Sequence, residues 1–234
     1  MFLNKKVIAL IPAKHKSYEL PKKNYLKLKN QTLYEIAIKS AQKSKYIDLV
    51  FVSSDSKIIL EKSKKLGSKI IKRSKNLSLK NTPASKIILD AIKTIKKKIL
   101  KDFIIIYLQP TSPFRNHRHI NKAISYLKRS KSKSIISVTR NIKTIYKSVK
   151  IKNGLIKPIF KEKFITSNRQ KFASTFYPNG AIYIFNASTF VKNKRIPVKN
   201  SLAYEMSEDS SHDIDTLNDY KIAKKLCKNL LIKK

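Results

Sequence analysis

The 234-residue chain has one cysteine, three glycines, no tryptophan and only 14 acidic residues against 53 lysines and arginines. A single thiol, Cys227, excludes an internal disulfide and a cysteine-based zinc site, and is expected as a small buried hydrophobe. No apolar run approaches the ~20 residues of a membrane helix. The first, Val7 to Pro12 (VIALIP), is followed by no small-residue cleavage site, so a cytosolic protein without membrane attachment is expected. The scarcity of acids leaves a formal charge of +39, enough to attract any polyanion. Yet the lysines are spread along the whole chain rather than gathered into a stripe interleaved with stacking aromatics. A solvated basic surface is therefore expected, with no specific nucleic-acid site.

What is present is a regular rhythm. Hydrophobic residues make up 41% of the chain and recur in short runs, so one domain over residues 1–234 around one core is expected. Val7 to Ile11, Leu49 to Ser53, Lys69 to Arg73 and Phe103 to Leu108 read as buried strands. Helices fall between them. Thr32 and Glu35 have capping-box spacing at the head of the first, Lys57 to Leu66 ends at Gly67 as a C-cap, and Ala84 to Ile99 and His119 to Lys128 complete the set. Strands alternating with helices predict a doubly wound, mostly parallel α/β sheet, which binds ligands outside the carboxyl ends of its strands. From Ile135 the strands shorten (Ile135 to Thr139, Tyr146 to Ile151, Gly180 to Phe185). An excursion over about 140–178 is expected there, open to reading as a surface loop or a dimerisation arm. A helix from Thr216 to Leu230 closes the chain.

Four loops carry candidate chemistry. The first, Lys14 to Asn24, is rich in lysine and offers Ser17 and Asn24 as neutral hydrogen-bonding groups. It suits a triphosphate, or else is a solvated loop; without glycine or GK[ST] it is not a Walker loop. The second, Leu108 to Arg115 (LQPTSPFR), is either a rigid strand-to-helix turn or a polar platform in which Gln109, Thr111, Ser112 and Arg115 meet an anionic or polyhydroxyl ligand. In the third, Tyr177 to Phe185, Pro178-Asn179-Gly180 reads as a hairpin turn, with Asn179 and Tyr183 available to sugar hydroxyls. The fourth places Asp213 and Asp215 either side of Ile214. In an extended segment the two carboxylates converge on one side, where a hard divalent cation can sit; equally, Asp215 and Thr216 can cap the last helix.

In this order, IPAKHKSYELPKKN, VSSDS, LQPTSPFR, YPNGAIYIF and DIDT resemble the acylneuraminate cytidylyltransferases, over nearly the whole chain. The resemblance implies a Rossmann-like nucleotidyltransferase fold, a homodimer built through the excursion, and CTP, a nine-carbon sugar acid and Mg2+ as substrates and cofactor. It places the triphosphate on Lys14, Ser17, Lys23 and Asn24, with Lys23 at the α-phosphate. The cytosine and ribose fall near Arg73, Pro83 and Ser85, and the acceptor near Gln109, Arg169, Asn179 and Tyr183, with Arg169 meeting its carboxylate. Asp213 and Asp215 match the magnesium ligands. The implied reaction is in-line attack of the sugar's C2 hydroxyl on the α-phosphorus, with an aspartate, directly or through a metal-bound water, taking the proton.

Departures from the family pattern are concentrated in the first loop. Lys14 replaces the usual arginine and loses its planar fork. Tyr18-Glu19 replaces a Lys-Gly pair, removing a glycine and adding a carboxylate. Tyr177 stands for an arginine and Asn81 for an aspartate. A related transferase for another sugar acid such as Kdo, and a catalytically weak polyanion-binding relative, are the alternative functions.

Overall fold

A computed structural model describes residues 5–232; residues 1–4 and 233–234 of the expected domain lie outside them. The chain order is β1 (Val7–Pro12), β2 (Lys27–Leu28), β3 (Gln31–Thr32), α1 (Leu33–Gln42), β4 (Leu49–Ser54), α2 (Lys57–Lys65), β5 (Lys69–Lys72), α3 (Ala84–Lys96) and β6 (Ile104–Tyr107). It continues through α4 (His117–Lys128), β7 (Ser134–Arg140), β8 (Val149–Lys152), β9 (Leu155–Pro158), β10 (Phe176–Asn186), α5 (Ala187–Asn193), β11 (Leu202–Glu205) and α6 (Leu217–Ile232). The main sheet has seven strands in the order β11-β7-β10-β6-β1-β4-β5. All its pairings are parallel except those of β10, which runs antiparallel to both β6 and β7.

The central strands are buried on both faces, which is why they read as continuous β-branched runs. Along β1 the side chains alternate. Val7, Ala9 and Ile11 enter a layer with α1, α2 and α4. Ile8 and Leu10 enter the opposite layer with α3 and α5. The expected capping box heads α1, where the Glu35 carboxylate accepts from Thr32 N at 2.8 Å. Gly67 follows α2 with φ of 80°. A third apolar cluster joins Leu20, Leu28, Leu33, Ile214 and Ala223, tying the first loop and the aspartate segment to α6. Cys227 is partly buried at its edge.

From β1 the chain builds outward through β4 to β5, then returns to β6 on the other side of β1. That reversal opens a crevice at the carboxyl ends of β1 and β6, where the first and second candidate loops leave the sheet.

Three parts differ from expectation. Pro178-Asn179-Gly180 is no hairpin turn: β10 passes straight through it, and its register on β7 shifts between Pro178 and Tyr183. Pairing with β7 at Phe176 to Pro178 and again from Tyr183 keeps the strand going, and the left-handed φ of Gly180, 77°, absorbs the irregularity as a bulge. Tyr146 belongs to a short 3-10 turn (Lys143–Lys147), so the strand begins only at Val149. That strand pairs with β9 through Asn153-Gly154, both with positive φ, in the two-residue hairpin this dipeptide favours.

Candidate active site

The first loop is held by side chains. Ala13 N continues the strand ladder to Ser53 O at 2.9 Å, and Asn24, buried, donates from Nδ2 to Lys14 O at 2.8 Å. Leu20 anchors the outer bend in the third apolar cluster. Between these points Tyr18 stands exposed, with the Lys14 and Lys80 ammonium groups 5.6 and 6.0 Å from its ring centroid. Burial first, then the Lys23 and Arg73 cations, lowers the Lys14 pKa; Asp55 and Glu19 oppose the shift. Like charges crowded in this way are relieved by an incoming polyanion. Glu19, at the outer bend, leaves them in excess.

In the second loop Arg115 behaves differently from the expectation. It is fully buried rather than turned to a ligand, and Nη2 donates to the carbonyl oxygen of Gln109 at 3.3 Å. Nε and Nη1 have no hydrogen-bond partner among the described residues. Burial alone lowers its pKa to about 10. Arg115 braces the backbone of Gln109 from inside.

The aspartate pair is asymmetric. Ile214 is fully buried and its N–H donates to Thr111 O at 2.9 Å, so the segment is pinned to the second loop between the two carboxylates. Asp213 turns inward and accepts from Ser112 Oγ at 3.3 Å. Burial raises its pKa and Asp215 adds to the rise, against hydrogen bonds from Thr111 and Ser112 and the charge of Lys23. Asp215 is exposed and pairs with Lys23 Nζ at 2.6 Å; their side chains are 56% and 12% exposed. The capping role expected as the alternative falls to Thr216 and not to the Asp215 carboxylate: Thr216 Oγ1 accepts from Asp219 N at 3.2 Å, and Asp219 Oδ2 accepts in return from the N–H groups of Thr216 and Asp215.

Two cavities adjoin here. One, of about 320 Å³, lies between the first loop and the start of α3 and is lined by Lys14, Lys23, Asn24, Thr82, Ile87 and Tyr107 among others. The second, of about 510 Å³, lies beside the β10 bulge and is lined by Thr139, Asn179, Tyr183, Glu208, Ser211 and His212 among others. Gln109 and Asp213 line both. Gly180 makes the join sterically possible, since a Cβ there would lie 2.7 Å from Gln109 Oε1. A larger groove of about 580 Å³ beside α6 contains none of the expected site residues.

Of the expected set, Lys14, Lys23, Asn24, Gln109, Asn179, Tyr183, Asp213 and Asp215 line one or both cavities. Asn179 does so as a clamp: Oδ1 accepts from Ser137 Oγ at 2.5 Å and Ala181 N at 3.2 Å, and Nδ2 donates to Ser211 Oγ at 2.8 Å. Ser17, Pro83 and Ser85 are outside the lining; at the start of α3 Thr82, Ala84 and Ile87 take their place. Arg73 is buried against Ser53 O at 3.3 Å, within electrostatic reach of Tyr107 and Asp55. Arg169 stands exposed on the excursion and lines neither cavity. Tyr107, the last residue of β6, falls within the strand read from Phe103 to Leu108 but was not singled out. Glu208 lies in a segment that no motif marked, and His212 directly precedes the aspartate pair in the fourth loop without having been singled out.

A family model for cytidylyltransferases matches residues 8–231. The chain is 31% identical over 228 residues to the N-acylneuraminate cytidylyltransferase of Escherichia coli, covering 93% of this chain and 51% of that protein. It spans about half the length of the curated N-acylneuraminate relatives it matches. It is 30% identical to the CMP-N,N'-diacetyllegionaminic acid synthase of Legionella pneumophila, covering 94% and 96% of the two chains. With the pseudaminic acid cytidylyltransferase of Campylobacter jejuni the identity is 25%, covering 95% and 97%. Among solved structures, a CMP:2-keto-3-deoxy-manno-octonic acid synthetase complexed with CTP superposes with TM-score 0.70 at 16% identity, covering 97% of this chain and 100% of that one. A 4-diphosphocytidyl-2C-methyl-D-erythritol synthase gives 0.69 at 12%, covering 96% and 99%. At these identities the structural likenesses show the fold alone.

Proposed function

The chain belongs to the cytidylyltransferase family, and from that premise we propose that it transfers CMP from CTP to a nine-carbon sugar acid of the sialic, legionaminic or pseudaminic type, releasing pyrophosphate. The observation that carries this reading is the junction of the two cavities at Gln109 and Asp213. One cavity has Lys14 and Lys23, suited to a triphosphate, in its wall together with Asp213 and Asp215, and the other is lined by hydrogen-bonding groups suited to a polyol.

In this mechanism Lys14 and Lys23 bind the triphosphate, and Thr82, Ile87 and Tyr107 enclose the nucleoside end. Gln109, Tyr183 and the clamped Asn179 shape the acceptor cavity. The acceptor's C2 oxygen forms a bond to the α-phosphorus as the bond to the β-bridging oxygen breaks, and pyrophosphate leaves. Asp213, facing both substrates, takes the hydroxyl proton on its carboxylate. Positioning and charge stabilisation supply the rate.

Asp213 and Asp215 would hold Mg2+. Among the described residues no group of three or more His, Cys, Asp or Glu side chains could hold a metal. Two carboxylates nevertheless fit Mg2+, which takes the rest of its shell from water and substrate phosphates. When bound, the ion supplies charge neutralisation at the phosphate oxygens. Lys23, which pairs with Asp215 at 2.6 Å, would be free to serve the α-phosphate once that carboxylate held the ion.

We also propose a homodimer through the excursion, where Ile142, Ile151, Leu155, Ile156, Ile159 and Phe160 are exposed together. Arg169 lies on the same excursion and would meet the acceptor carboxylate only after such assembly or a local rearrangement. The reaction is assigned to the cytosol, where CTP is available, and among the described residues no helix is long and apolar enough to cross a membrane.

The test is magnesium-dependent pyrophosphate release from CTP, ATP, GTP and UTP with sialic, legionaminic and pseudaminic acids and Kdo. Release with CTP and one nine-carbon acid, lost in Asp215→Ala, is the expected result. No release with any pair would overturn the assignment.

A further inference from the structure

The first loop has no glycine between Ala13 and Tyr25, although phosphate-binding loops commonly use glycine to bring backbone close to the ligand. Its backbone is fixed instead at one peptide unit. Asn24 Nδ2 donates to the carbonyl oxygen of Lys14 at 2.8 Å, and the N–H of His15 donates to Asp55 Oδ1 at 2.8 Å. These two groups are the C=O and N–H of the same planar peptide. Rotating that plane breaks both hydrogen bonds at once, and Lys14, directly before it, is one of the two lysines lining the nucleotide cavity.

A second connection runs through the His15 ring. His15 Nδ1 lies 2.8 Å from Tyr25 Oη, which lies 2.7 Å from Ser56 Oγ. Ser56 Oγ in turn accepts from Ile59 N at the head of α2. The His15 and Tyr25 rings meet edge to face at 5.6 Å. The loop is thus tied at both ends of one residue to the turn that follows β4. Asp55 also faces the cations, supporting the charged forms of Lys14 and Arg73 against burial.

We propose that Asp55 is a positioning residue for the nucleotide site: it locks the Lys14–His15 peptide, with His15 and Tyr25 as its second tether, and so aims the Lys14 ammonium at the triphosphate. The role rests on the CTP-binding reading of the same cavity. It separates geometry from charge, because an amide oxygen at position 55 can still accept from His15 N–H whereas a methyl group cannot.

The experiment compares Asp55→Ala, Asp55→Asn and Tyr25→Phe with wild type in the full chain. It measures CTP affinity by calorimetry without acceptor, acceptor KM, melting temperature, and amide hydrogen exchange at His15. Asp55→Ala should bind CTP about ten-fold more weakly, the scale of one hydrogen bond to a charged acceptor, with acceptor KM unchanged and His15 exchange accelerated. Asp55→Asn should stay within about three-fold of wild type and keep His15 protected; Tyr25→Phe should lose about three-fold. Equal weakening in the Ala and Asn variants would assign the effect to charge and overturn the proposal. So would CTP affinity and acceptor KM worsening together with a lower melting temperature. Unchanged CTP binding in Asp55→Ala with His15 protection lost overturns the positioning role alone. A wild-type chain that binds CTP but releases no pyrophosphate overturns only the transfer reaction, and one that binds no CTP overturns both.

Discussion

The cavity beneath the first loop has Lys14 and Lys23 in its wall and Arg73 within electrostatic reach, whereas the cavity beside the β10 bulge has no lysine or arginine among its described lining residues. In a chain with 53 basic residues, the second fact is the less expected. A surface set by compositional bias would place lysine in both. The contrast points to two modes of recognition on either side of Gln109 and Asp213: charge for the nucleotide, hydrogen bonds and shape for the acceptor. Charge is nonspecific and long-ranged, whereas hydrogen-bonding walls discriminate between polyols.

The most severe way to break this division is to remove the exposed carboxylate beside the junction. Asp215→Ala should lower kcat by about 10³-fold, since charge stabilisation at the phosphates is lost. Steady-state pyrophosphate release measures it. A variant within ten-fold of wild type would show that the aspartate pair is no reaction centre.

A narrower perturbation tests the acceptor side alone. Gly180→Ala puts a Cβ into the space of Gln109 Oε1, at 2.7 Å, and strains a residue with φ of 77°. Acceptor KM should rise about ten-fold as Gln109 is displaced, with CTP affinity within two-fold of wild type. If both substrates weaken equally, Gln109 serves the whole crevice and the division fails.

Much of this arrangement was legible from residue order. VIALIP, LVFVS and FIIIYL read as strands because burial on both faces removes the need for polar alternation, and the Thr32–Glu35 box fixed the head of α1. Asp213 and Asp215 were legible as a pair. Their asymmetry was not, because it depends on Ile214 docking into a cluster built from Leu20, Leu28 and α6, far away in sequence. Pro178-Asn179-Gly180 misled for a similar reason: local turn chemistry yields when β7 holds the strand both before and after it. β11 and α5 were too short, at four and seven residues, to show a period. Arg115 misled through its charge, since nothing in LQPTSPFR says that the guanidinium points into the protein.

A third measurement sharpens the comparison by ionic strength. Raising salt from about 0.05 to 0.5 M shortens the Debye length several-fold, so CTP KM should rise by a factor of about three to ten. Acceptor KM should move less, because the described cavity lining offers its carboxylate no cation. Parallel shifts in the two constants would mean that a basic side chain reaches the acceptor, and Arg169 would be the first to replace.

The smallest effect concerns the carboxylate both cavities share. Burial raises the pKa of Asp213 above its ordinary value. For an acid, a raised folded-state pKa means that the folded chain holds its proton more tightly than the unfolded one. Its contribution to stability is therefore lost as pH rises from the unfolded to the folded pKa, and at neutral pH the ionised carboxylate destabilises the fold. Asp213→Asn should accordingly melt about 1–3 °C higher than wild type at pH 7 while losing activity. The difference should vanish, or reverse, at a pH below the ordinary carboxylate range, where both states are protonated. A lower melting temperature at pH 7 would show instead that the carboxylate's bonds to Ser112 and Thr111 outweigh its burial, and that Asp213 holds the junction together as well as serving its chemistry.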